Sequence, residues 1–250
     1  MEDRAVARNE RGRPPGREPP GRQPHLRRPG HRSPAGPLIG SPDSSDHRVR
    51  SIDPSGLSRR DRYQLITSLV VPRPIGWIST WDADGGANLA PYSFFNAVSG
   101  TPMLVVASIG QRKGALKDTL TNVRDRGAFC VNVVTEPLLE AMNATSAEVG
   151  PEVDEFELAG LGPAVSERVD APYVAGCPAV LECVSFKEVD LSPSNNVLVV
   201  GEVVGVRLAE SLPMAEGTMI VDAEALAPVG RMSGSEYMLP REIRILPRPS

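Results

Sequence analysis

The sequence predicts a mainly β domain with short helices, arranged as a Greek-key β-barrel and preceded by a tail of different composition. Three observations carry this. Strand-like apolar runs recur from residue 73 onward with turn signals between them, so most strands fold back on their predecessors. The helical stretches between them are short and bounded by caps, unlike the long helices of a doubly wound sheet. No GxGxxG follows a strand and no GxxxxGK[ST] occurs; Gly110 and Gly114 approach the latter, but Ala115 stands where its lysine belongs.

Residues 1–50 hold 9 prolines, 6 glycines and 11 arginines, no lysine and almost no large apolar side chain. Such a segment buries too little surface to offset its ordering entropy, so a disordered tail is expected, with residues 51–250 as the folded domain. Against 6 acids the tail carries +5; the remaining 16 bases face 25 acids, which leaves −9 for the domain. An acidic domain lacks the basic face that nucleic-acid binding needs. No apolar run approaches the roughly 18 residues that span a bilayer, and MEDRAVARNE lacks the apolar core of a secretory signal. No membrane role and a cytoplasmic address are expected.

His25, His31 and His47 all fall in the tail. A domain without histidine excludes a Ser-His-Asp or Cys-His site and any histidine-ligated metal, which directs attention to a bound cofactor as the source of chemistry. Cys130, Cys177 and Cys183 are odd in number and show no CxxC spacing, so they read as small buried hydrophobes in a reducing compartment.

Taken in order, Ser58 with Asp61 three residues on predicts a helix start, and Tyr63, Leu65, Ile66, Leu69 and Val70 supply its apolar face until Pro72 and Pro74 end it. Residues 75–80 form a strand, 82–86 an acidic turn and Ala87 onward the return strand. Pro91 lies within that strand, where a break or bulge is expected to leave backbone groups free. Residues 103–108 are a buried-type strand, and Asp118 or Thr119 caps a helix that Gly127 ends. A strand over 128–134, a helix over about 135–145 and an acidic loop over 148–157 follow. Two long strands, 177–189 and 197–208, flank the turn Ser192-Pro193-Ser194-Asn195-Asn196, and a short strand over 218–221 completes the core. Asp154-Glu155 reads as a helix start or structural loop rather than a catalytic pair, because adjacent residues point apart on a strand. Trp77 and Trp81 read as packing residues.

The densest chemistry lies between Arg73 and Thr119. Ser93 and Asn96 flank Phe94-Phe95 just after Pro91, and Arg112, Lys113 and Lys117 gather before Asp118-Thr119, where a helix start offers free amides to a phosphate. Taken without context, three bases within six residues are more often the mark of a solvated loop, and Tyr92, Phe94 and Phe95 read as core where they face inward.

RPIGWIST (73–80), NLAPYSFFNAVS (88–99), SIGQRKGALKDTLTNV (108–123), AMNATSAEVGPEVDEFELAGL (141–161), CPAVLECV (177–184) and PVGR (228–231) with Tyr237 together resemble the flavin reductase-like family, whose fold is the FMN-binding split barrel. The resemblance covers residues 63–237. It implies FMN as cofactor, with Pro91, Tyr92, Ser93, Phe95 and Asn96 at the ring and Ser108, Arg112, Lys117, Asp118 and Thr119 toward the phosphate. It implies an NAD(P)H-dependent flavin reductase that passes hydride from NADH or NADPH to flavin, works as a homodimer and supplies a partner monooxygenase. An FMN enzyme acting on a small metabolite and a non-catalytic FMN-binding electron carrier are the alternatives. After Arg231 the sequence departs from the family pattern, with Met232, Ser233 and Gly234 in place of a leucine and paired glycines. No residue is singled out as a catalytic acid or base, and no metal is expected.

Overall fold

The computed structural model describes residues 49–112, 114–150 and 152–249, with Arg112 described in its backbone alone. The expected tail falls, up to residue 48, outside the described residues, as do Lys113 and the Arg112 side chain. The chain divides at Ile52 and Asp53, and the fold below is that of the second unit.

Ser58 caps α1 (Arg59–Leu69) as its spacing to Asp61 predicts: its Oγ accepts the Asp61 amide at 3.1 Å and donates to Asp61 Oδ2 at 2.7 Å. The apolar stripe of this helix is not packed. Tyr63, Ile66, Leu69 and Val70 are exposed, and Thr67 is its buried residue. Arg73 holds the far end, where Nη1 donates to the carbonyls of Thr67 and Val70 at 2.7 and 2.8 Å and thereby satisfies groups the helix leaves open.

After β1 (Arg73–Pro74), β2 (Gly76–Trp81) and β3 (Ala87–Tyr92) form the expected hairpin. In its turn Asp82 Oδ1 accepts the amides of Asp84 and Gly86 at 2.8 and 2.7 Å, and Gly85 takes φ +89°, which glycine adopts without strain. The ladder runs unbroken from Trp81 opposite Ala87 to Gly76 opposite Tyr92, with Pro91 opposite Trp77. The break expected at Pro91 is therefore absent. β3 is an edge strand, and a residue without an N–H is tolerated where that group would face away from the partner.

Ser93 and Phe94 lead into β4 (Phe95–Gly100), followed by β5 (Met103–Arg112), β6 (Ala115–Leu116), α2 (Asp118–Arg126) and β7 (Ala128–Val133). The cap of α2 is Lys117, one residue before the expected Asp118 or Thr119, and Gly127 ends the helix at φ +67°. A 3-10 turn and α3 (Leu139–Ala144) replace the single helix expected over 135–145, and α4 (Glu155–Leu158) starts at Asp154. β8 (Pro163–Val165) and β9 (Pro172–Val174) pair with each other; β10 (Ala179–Asp190) and β11 (Asn196–Leu208) are the two long strands. α5 (Ala223–Leu226), β12 (Gly230–Arg231) and β13 (Tyr237–Met238) follow. The strand expected over 218–221 does not form. Val221 makes an isolated bridge to Met214, and Met219 and Ile220 are exposed, because no neighbouring strand offers them a ladder.

The main sheet runs β3-β2-β7-β10-β11-β5-β4, antiparallel at every pair, with β6 on β5. Its two edges, β3 and β4, are consecutive in the chain and only Ser93 and Phe94 separate them, so the sheet has to curl until its edges meet. The Ser108 amide donates to Phe94 O at 2.8 Å and ties that junction to β5. Alternation then sorts the side chains. Ile78, Phe129, Val131, Ile109 and Val199 fill one cluster with Leu120 and Val123 of α2, while Trp77 and Leu89 pack on the other face with Met142 and Phe156. The Trp77 indole is fully buried and donates to Thr145 Oγ1 at 2.9 Å, which makes it the packing residue expected.

Candidate functional site

A cleft of about 1060 Å³ opens between the free side of β3, the outer half of β5, the start of α2 and the segment 145–150. Its place follows from the fold: β3 lacks a strand on its outer side, and α2 begins opposite that edge. Seven residues singled out in the sequence line it, namely Pro91, Tyr92, Ser93, Ser108, Lys117, Asp118 and Thr119. Phe95 and Asn96 do not. Phe95 is partly buried against the barrel cluster, with its ring where a Cβ on Gly76 would be 2.5 Å away, and Asn96 is exposed with Oδ1 accepting the Ala97 amide at 2.9 Å. The side chain of Arg112 lies outside the described residues.

The cleft also recruits residues that the sequence reading did not assign to a cofactor. Asn88 and Glu155 are 8% exposed each and joined: both Glu155 oxygens accept from Asn88 Nδ2 at 3.2 and 3.1 Å, and Oε2 accepts the Leu89 amide at 3.1 Å. Asn88 Oδ1 accepts the Thr119 hydroxyl at 2.9 Å, and Thr119 Oγ1 in turn accepts the Tyr92 hydroxyl at 2.9 Å. A hydroxyl has one proton, so the Thr119 side chain as it stands has none left for a phosphate. Thr119 reaches the cleft through its place in the first turn of α2. Asn196 lies across the cleft, where Nδ2 donates to Ser108 Oγ at 3.2 Å.

Burial sets the electrostatics. It raises the Glu155 carboxyl above the ordinary carboxylate range, against the opposing pull of the Leu89 and Asn88 donors. Burial likewise pushes the Tyr92 phenol up, so it stays a proton donor at neutral pH. Lys117 sits 5.1 Å from the centre of the Tyr92 ring, at the cap of a helix whose first turn has no side-chain cap bond. Burial raises all three thiols, Cys130 to about 12, and none lines the cleft. Arg231 stacks on Tyr237, whose hydroxyl donates to Asn143 Oδ1 at 2.9 Å; neither residue lines the cleft. Among the described residues no group of three His, Cys, Asp or Glu side chains is close enough to hold a metal ion, and no helix is long and apolar enough to cross a membrane.

The sequence profile of the flavin reductase like domain matches residues 68–222, which run from the end of α1 to the start of α5 and contain every wall of the cleft just described except Tyr63. The chain belongs to this family. Its fold is likewise that of solved members. Nitrilotriacetate monooxygenase component B from Bacillus cereus superposes with a TM-score of 0.75 at 32% identity, over 80% of this chain and 100% of that one. The 2-nitrobenzoate 2-nitroreductase of Pseudomonas fluorescens gives 0.73 at 32%, over 80% and 96%. A flavin reductase with split barrel domain from Shewanella frigidimarina gives 0.69 at 24%, over 78% and 96%, a likeness of fold. The curled antiparallel sheet is thus a split barrel, as the resemblance implied.

The donor set of the cleft fits a flavin mononucleotide in this family member. A phosphate needs a cation and free amides, which Lys117 and the uncapped start of α2 offer; a flat ring with a polar edge needs an apolar wall beside unpaired backbone, which Pro91 on the outer edge of β3 offers.

Proposed function

We propose that this protein binds FMN in the cleft between β3 and α2 and acts as an NAD(P)H-dependent flavin reductase whose reduced flavin serves a partner oxygenase. Family membership supports the coarser statement, a flavin-linked oxidoreductase. The observation that carries the finer one is the meeting, in one cleft, of Lys117 at the cap of α2 with the free edge of β3 at Pro91, Tyr92 and Ser93. In this reading Lys117 and the amides of the α2 first turn hold the phosphate, and the β3 edge borders the ring. The chemistry a bound flavin supplies is reversible hydride acceptance, which requires of the chain only alignment and donors near the ring. The absence of histidine from residues 51–250 accords with that division of labour. The naming of the Bacillus relative as a monooxygenase component supports an oxygenase as acceptor.

A homodimer belongs to the proposal. Tyr63 and Phe94 line the cleft, yet they are 59% and 39% exposed, and Ile66, Leu69 and Val70 of the same helix end are exposed as well, apolar surface that a second copy would cover. Light scattering is expected to give about twice the chain mass. The 32% identity to a nitroreductase favours a second reading, in which FMN stays bound and reduces a small molecule. One experiment separates these: record the visible spectrum of the purified protein, then add NADH or NADPH anaerobically. Flavin peaks that bleach, together with turnover of free flavin, support the reductase. Peaks that bleach without turnover of free flavin, and return when a small-molecule acceptor is added, favour the second reading, and failure to take up FMN defeats both.

A further inference from the structure

Glu155 is the feature of the cleft that neither packing nor the proposed phosphate site accounts for. Its carboxylate is 8% exposed and, among the described residues, has no ion-pair partner. Burying such a charge is costly, and a neutral carbonyl would satisfy the Leu89 amide equally well. What a carboxylate adds is that neither of its oxygens donates.

That property propagates. Facing two acceptors, Asn88 must turn its NH₂ toward Glu155 and therefore its Oδ1 toward α2. There Oδ1 receives the hydroxyls of Thr119 at 2.9 Å and Thr80 at 3.4 Å, and the Thr80 oxygen accepts from Asn122 at 3.0 Å. With the Thr119 proton so directed, its oxygen is left as an acceptor and receives the Tyr92 hydroxyl. The chain ends under Lys117, whose ammonium rides on the Tyr92 ring. Three walls of the cleft, α4, β3 and α2, thus each contribute members of one row of hydrogen bonds with a single possible sense.

We infer that Glu155 is a positioning residue for the phosphate end of the cleft: its charge fixes the sense of the Asn88, Thr119 and Tyr92 hydrogen bonds and so holds Lys117 and the first turn of α2 in place. The inference rests on the reading of this cleft as an FMN site. It concerns affinity for the phosphate part of the ligand, which riboflavin lacks.

The test compares FMN and riboflavin dissociation constants, read by flavin fluorescence quenching on the full-length chain freed of flavin. In Glu155→Gln the Leu89 amide holds the Gln oxygen, the Gln NH₂ opposes Asn88 Nδ2, Asn88 turns over, and the Thr119 and Tyr92 protons lose their fixed sense. The preference for FMN over riboflavin is expected to fall about 5- to 10-fold, while riboflavin affinity stays within about twofold. Adding Asn88→Asp restores an acceptor toward Thr119 and another toward the Gln NH₂, so the double variant is expected to regain the wild-type preference within about twofold. Tyr92→Phe cuts the row at its far end but keeps the ring beneath Lys117, and about a threefold fall is expected. A preference unchanged in Glu155→Gln, or not regained in the double variant, overturns the inference while leaving the flavin reading intact. If Glu155→Gln does not fold, the double variant and Tyr92→Phe decide by the same criteria. A wild-type chain that binds neither flavin overturns both readings.

Discussion

Replacing Lys117 by serine separates the fold from the ligand site with one substitution. Lys117 is the N-cap of α2 but makes no side-chain cap bond, and its ammonium rests 5.1 Å from the Tyr92 ring centre. In the apo protein Lys117→Ser forfeits that cation–π contact, about 0.5–1 kcal/mol at a half-exposed site, and gains a capping hydroxyl worth about 1 kcal/mol. The capping hydroxyl offsets part of what the lysine side chain contributes, so the variant is expected to fold, with a melting temperature within several degrees of the wild type. The ligand tells the difference. A charge-assisted bond to phosphate contributes about 1.5–3 kcal/mol, and partial solvent exposure of Lys117 puts this one toward the lower end. FMN is then expected to bind about 10- to 30-fold more weakly, with riboflavin nearly unchanged. Raising the salt concentration should narrow the gap between wild type and variant. The measurements are a thermal melt of the apo protein and fluorescence titrations with both flavins at two ionic strengths. Equal loss for FMN and riboflavin would show that Lys117 shapes the cleft instead of holding phosphate. An unchanged FMN affinity would remove the phosphate from this helix start.

Other perturbations test the interior. Burial raises the Glu155 pKa in the folded state, so the folded protein binds this proton more tightly than the unfolded chain and its stability falls as pH rises between the two pKa values. The stability of Glu155→Gln relative to wild type should therefore climb from pH 4 toward neutrality and then level off in urea unfolding curves; a difference that is flat, or that shrinks with pH, refutes burial as the dominant cause. Gly201→Ala places a Cβ 2.3 Å from Phe129 Cζ and 3.2 Å from Cys183 Cβ inside the barrel, so it should cost about 1–3 kcal/mol and lower the melting temperature by several degrees, and an unshifted melt would mean that this part of the core has slack. Cys130 and Cys183 are buried with raised pKa values, so a thiol reagent at pH 8 should leave both unmodified in the native protein over minutes and label all three cysteines after denaturation; prompt native labelling of either would show that the barrel opens there.

The local signals in the sequence located the elements well. Ser58 and Asp61, the Asp82–Gly86 turn and Gly127 act through contacts within a few residues, and the structure has each at its expected place, whereas the acidic stretch expected as a loop over 148–157 ends in the start of α4, capped by Asp154. Apolar composition between turn and cap signals identified strands over residues 75–80 and 128–134, and the stretch from Pro91 to Thr119 contains twelve residues of the cleft lining. The same local rules failed where pairing decides. The run over 218–221 has strand composition without a partner, and the stripe on α1 has core composition without a core, because a residue's preference does not state what lies opposite.

What the sequence by itself determined is therefore the inventory: strands, turns, caps, a domain free of histidine and the basic loop before α2, all set by chemistry between near neighbours. Only the tertiary structure decided how that inventory is used. It made β3 an edge strand, so Pro91 interrupts nothing and its outer side stays open to the cleft. Alternation out of the Ser93 and Phe94 junction turned Phe95 into the barrel, and Asn96 points to solvent. Closure of the sheet brought together Tyr92 and Thr119, Thr119 and Asn88, and Asn88 and Glu155, pairs separated by 27, 31 and 67 residues. Hydrogen-bond sense along such a row depends on which acceptor waits at its end, and a carboxylate 67 residues away leaves no mark on the sequence around Asn88.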